Sequence, residues 1–205
     1  MERTQKPHGW MEGDVSRPIL RRLPWFIGGL AVLLVFSGLI LSVLAQIANG
    51  RIVTFSHQFF TPLFTITFCL VGGLVALRHP GNPIGWMFCA IGLLSGINMF
   101  GAGYVMIADL ATPGGVLPGV EVARWLNRWI WILGAILPIT FPLLLFPHGR
   151  LLSQRWRPIA WLVGLGTAGT IFGVAVYPGP LEPLGINGPN RFGIPGTGPV
   201  LDGAR

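Results

Sequence analysis

The sequence predicts an all-α integral membrane protein: five transmembrane helices, short cytoplasmic turns, and a Gly/Pro-rich extracytoplasmic tail at the C-terminus. Three observations predict it. No Asp, Glu, Lys or Arg lies between Arg22 and Arg51, Arg51 and Arg78, Arg78 and Asp109, Arg128 and Arg150, or Arg157 and Glu182. Each interval reaches the roughly 20 residues a helix needs to cross a hydrocarbon core about 30 Å thick. The 205 residues are 52% hydrophobic and only 10% charged, against about 25% charged in a soluble domain. Segments of about ten residues alternating apolar and polar, the mark of a transmembrane barrel, are absent. In lipid the backbone must satisfy its own polar groups, so the runs are helices.

Residues 1–23 form a polar N-terminal tail. The first span covers Pro24 to Ile47, with Pro24 suited to a first turn, where its missing N–H costs nothing. Val43-Leu44-Ala45 resembles a small-residue cleavage site, but the run exceeds the 7–15 residues of a signal-peptide core, so an uncleaved span is expected. The second span covers Phe59 to Leu77 and the third Ile84 to Met106. Between them Arg78–Pro83 reads RHPGNP, whose prolines and glycine stop one helix and start the next. A link this short makes the two helices antiparallel neighbours. The fourth span covers Trp129 to Phe146 and the fifth Ile159 to Tyr177. From Pro178 to Arg205 the chain is rich in Gly and Pro, either a disordered end or a long loop leading to another span. No internal repeat of the inverted-repeat transporter type is evident.

Charge sets the orientation. Arg3, Lys6, Arg17, Arg21, Arg22, Arg78, Arg150, Arg155 and Arg157 fall at one set of helix ends; Arg51, Arg124, Arg128, Arg191 and Arg205 fall at the other. The excess places the N-terminus of this multi-pass membrane chain in the cytoplasm. The net charge of +7 therefore meets anionic headgroups; no nucleic-acid partner is expected.

The spans carry no Asp, Glu, Lys, Arg or His near their middles, which disfavours a proton-coupled carrier, a pump or an intramembrane protease. Asn98 is the most polar residue inside a span, read first as an interhelical hydrogen-bonding group. Cys69 and Cys89 are expected to be free thiols, and no metal-ligand spacing or cofactor motif occurs. Gly92 with Gly96, and Gly169 with Gly173, are spaced for close helix approach. Packing within the subunit is favoured over a homodimer seam. Pro138 and Pro142 each remove a helical hydrogen bond, making the fourth span a candidate hinge. Trp125, Trp129 and Trp131 read as an aromatic belt beside Arg128, whose charge is expected to snorkel to the surface. Arg78, Asn82, Pro83, Arg150, Arg155, Trp156 and Arg157 form the candidate cytoplasmic anchor or signalling surface.

Two of these cytoplasmic turns carry a resemblance. RHPGNPIGWMF, Arg78 to Phe88, resembles the NPIGW-type turn in the N-terminal membrane regions of bacterial two-component sensor histidine kinases. FPHGRLLSQRWRPIAW, Phe146 to Trp161, is similar to the FPDGRLPSRRWRP-type loop of the same regions. His148 replaces a common Asp and Leu152 a common Pro. The resemblance covers roughly Arg78 to Gly196. It implies a sixth span beyond Arg205, then a cytoplasmic dimerisation and ATP-binding region, so that kinase or response-regulator partners would act through that missing part. None of the family's catalytic residues has a counterpart here. The expectation is a non-catalytic membrane input region, truncated or standing alone; the alternative is a small membrane accessory or scaffold protein, with a permease fragment less favoured.

Overall fold

The computed structural model describes residues 17–50, 55–111, 117–145, 156–179 and 190–195. Among them the chain is helical, with α1 (Arg17–Ala48), α2 (Phe55–Arg78), α3 (Pro83–Ala111), α4 (Val120–Leu145) and α5 (Arg157–Val176) and no strand. Four segments are long and apolar enough to cross a membrane: Arg22–Ala48, Phe59–Arg78, Pro83–Ala111 and Arg157–Val176. This is the build of a membrane protein. The α4 segment does not join them: Glu121, Arg124 and Arg128 occupy its first turns, and Phe146 lies outside the described residues.

Helix α1 starts earlier than the apolar run suggests. Pro24 lies well inside it, fully buried, rather than in its first turn. Basic residues Arg17, Arg21 and Arg22 extend the helix beyond the apolar run, so hydropathy alone mistakes the edge of the run for the end of the helix. At its other end Gly50 adopts φ +64° and its N–H bonds to the Ile47 carbonyl, closing the helix. A left-handed residue at this position is inexpensive only for glycine.

Helix α3 is the hub, packed on α1, α2 and α4, while α5 packs on α4. Small residues let the backbones meet. A Cβ at Gly72 would lie 2.7 Å from the Cys89 nitrogen, and one at Gly85 would lie 2.6 Å from the Ala76 nitrogen. These contacts join α2 to α3. On the neighbouring face, Gly38 of α1 lies against Met99 and Phe100, and Gly103 of α3 against Gly38. Lipid supplies no hydrophobic drive between helices, so such close approach and its dispersion contacts hold the bundle together.

Candidate functional site

The α2–α3 turn and the described start of α5, Trp156 to Trp161, lie at the same end of the bundle. Gly101 faces Asn127 and Gly134 faces Ser95, so α3 and α4 run antiparallel. Trp125 donates to the Ala175 carbonyl at 3.0 Å, so α4 and α5 do too. The α2–α3 turn and the start of α5 therefore share one end.

The α2–α3 turn and the start of α3 give several of the motif's residues a physical task. Arg78 is exposed in the last turn of α2, where a cation complements the helix dipole. Asn82 caps α3: its Oδ1 accepts the Ile84 N–H at 3.0 Å. Pro83 opens the helix, where no N–H is needed. Gly85 admits the α2 backbone, and Trp86 Nε1 donates to the Pro80 carbonyl at 3.1 Å. At the start of α5, Trp156 and Arg157 are exposed. Arg150 and Arg155 lie outside the described residues.

The two glycine pairs have the same spacing and different surroundings. A Cβ at Gly96 would sit 2.7 Å from the Ala31 carbonyl oxygen of α1, whereas one at Gly92 would meet the Cys69 Sγ of α2. The pair is internal and serves two partners rather than one. Gly169 and Gly173 have no atom within 4 Å of where a Cβ would stand, so within the chain they pack against nothing described. Both cysteines are free and buried. Pro138 lies half-buried within α4, which runs unbroken past it; Pro142 lies in the same helix with its side chain outside the described residues.

The opposite end holds a cluster that the sequence did not announce. Arg128 does not snorkel: it is 1% exposed and donates to the Gly179 carbonyl at 3.0 Å. Chain following α5 covers it. Asn190 is buried, and its Nδ2 donates to the carbonyls of Ala175 and Tyr177 at 2.8 and 3.0 Å. Its Oδ1 accepts the Phe192 N–H, and the Ile194 N–H reaches the Val176 carbonyl. These bonds satisfy carbonyls that the end of α5 would leave open. Phe192 stacks at a tilt on Trp125, with ring centroids 5.7 Å apart. Nearby, Arg124 pairs with Asp109 at 2.7 Å, tying α4 to the end of α3. That hydrogen bond raises the Arg124 guanidinium above its ordinary value, against the opposing effect of partial burial. The only sequence signal for this latch is Asn190 itself, a residue type that favours such side-chain turns.

Between α2, α3 and α4 lies a cleft of about 500 Å³, lined by Phe60, Phe64, Leu94, Asn98, Trp131 and Gly134 among others. Asn98 sits on its wall and makes no hydrogen bond among the described residues, in place of the interhelical bond expected of it.

The chain matches no protein-family description, no curated protein and no solved structure.

Proposed function

We propose that this chain is the membrane-embedded input region of a histidine-kinase-like signal transduction protein, with five spans and a cytoplasmic N-terminus in a bacterial inner membrane. Helix α4 serves as the further span: its 26 residues extend about 39 Å, enough to cross with its charged first turns at the outer surface. The observation that carries the reading is the α2–α3 turn, which shares one end of the bundle with the start of α5. There the Asn cap, the Pro start, the Gly contact and the Trp bond of the α2–α3 turn each use the residue type the motif supplies. In this reading the chain performs no catalysis and needs no cofactor. It changes the arrangement of its helices and passes that change to a kinase region, with two copies pairing through the outward Gly169–Gly173 face of α5. A stimulus does this only by favouring one arrangement over another.

The test is a fusion that supplies a further span and a histidine-kinase region after Arg205. Correctly inserted fusions should show basal autophosphorylation that shifts when Pro138 is changed to Ala or when Arg157 is changed to Gln. Output that ignores both changes would favour the alternative, a passive membrane accessory protein. The unfused chain should neither bind ATP specifically nor autophosphorylate, because phosphoryl transfer needs positioned cations and donors around the phosphates.

A further inference from the structure

We infer that the cleft between α2, α3 and α4 binds a neutral, lipophilic small molecule carrying a hydroxyl group. The inference does not depend on the sensor reading. Size comes first: about 500 Å³ lies within the range of small-molecule sites, roughly 300–1,000 Å³. The walls come second. Phe60, Phe64, Leu94 and Trp131 are apolar, and among the described residues no charged side chain lines the cleft, so a charged ligand would lose its hydration with nothing described in return.

The third element is polar and selects the ligand. Asn98 stands near the middle of α3, about 22 Å along it from Pro83 and about 20 Å from Ala111. Its amide has two donors and an acceptor oxygen, none used by the described chain. A bare amide in hydrocarbon is costly. Other polar side chains of the wall are already engaged: Ser95 Oγ donates to the Ile91 carbonyl at 2.9 Å, and Thr67 Oγ1 to the Leu63 carbonyl at 2.7 Å. On the facing helix, Pro138 has no N–H, so the carbonyl of Gly134, four residues earlier and on the cleft wall, lacks its usual donor. A hydroxyl matches this pair, accepting from the Asn98 amide and donating to a carbonyl oxygen. A phospholipid acyl chain could fill the space but would leave both groups unpaired. Gly134 keeps the cleft open, since a Cβ there would meet only Ser95 Oγ at 3.8 Å.

The experiment uses the full chain in phosphatidylcholine nanodiscs and two photoreactive diazirine probes of equal length, one built on dodecanol and one on the matching hydrocarbon. Adducts are mapped by mass spectrometry with and without unlabelled dodecanol. The alcohol probe should label Phe64, Leu94 and Trp131 saturably and be displaced by dodecanol. Asn98→Leu, close in shape, should weaken alcohol binding about fivefold, the equivalent of one neutral hydrogen bond, and leave the hydrocarbon probe unchanged. Gly134→Leu should remove cleft labelling by both probes, with the variant's melting point checking that it folds. Equal, non-saturable labelling by the two probes would overturn the proposal and mark the cleft as ordinary lipid contact. Unchanged alcohol binding in Asn98→Leu would overturn it as well.

Discussion

Gly96→Ala is the sharpest probe of how this bundle holds together. The added methyl would stand 2.7 Å from the Ala31 carbonyl oxygen, about 0.7 Å inside ordinary contact at 3.4 Å. The Ala31 Cα and carbonyl carbon follow at 3.2 and 3.3 Å. All three are backbone atoms within α1, so no rotamer change relieves the clash; α1 has to move away from α3 as a unit. Overpacking of this kind costs about 1–3 kcal/mol. A value of about 2 kcal/mol is roughly a thirtyfold fall in the folded-to-unfolded ratio. The control is Gly29→Ala in α1, where no atom lies within 4 Å and the methyl enters open space. Thermal unfolding of both variants in the same detergent, followed by circular dichroism, should show a clear fall in midpoint for Gly96→Ala and almost none for Gly29→Ala. Equal midpoints would refute the claim that close α1–α3 approach stabilises the fold.

Topology is open to cysteine labelling in a background lacking Cys69 and Cys89: introduced cysteines should be shielded from an impermeant reagent at Ser16 and Ser153 and reached by it at Ser56 and Thr112. Ser153 and Thr112 on the same side would remove the span formed by α4. Asn190→Ala deletes two donors to the carbonyls of Ala175 and Tyr177, a loss of about 1–3 kcal/mol for buried groups left unpaired. Hydrogen exchange at Phe192 and Ile194 should quicken accordingly; unchanged protection would show that the latch does not depend on Asn190.

The helices were legible because each long charge-free run is the direct imprint of a hydrocarbon solvent. The turn from Arg78 to Pro83 was legible too, because the prolines and glycine that stop one helix and start the next act locally; the Asn82 cap and the Gly85 contact with α2 came only with the structure. What spacing could not express was the identity of a neighbour. Gly92 and Gly96 look like one face but meet α2 and α1 respectively, and Gly169 and Gly173, with the same spacing, meet nothing described. Arg128 shows the limit most clearly. A lone arginine beside three tryptophans fits a surface anchor, and only chain 51 residues further on, through the Gly179 carbonyl, makes it a buried group.

That same separation sets an order in time. A ribosome adds about 5–20 residues per second, so Arg128 exists for roughly 3–10 s before Gly179 is made. Throughout that interval its guanidinium lacks the Gly179 carbonyl that later receives it. The α1–α3 core has all its parts before Arg128 is even synthesised, whereas the α4–α5 end waits for the segment that follows both helices. Biogenesis thus divides the molecule: an early half that closes on itself, and a late half whose buried charge is sheltered only after the chain has passed α5.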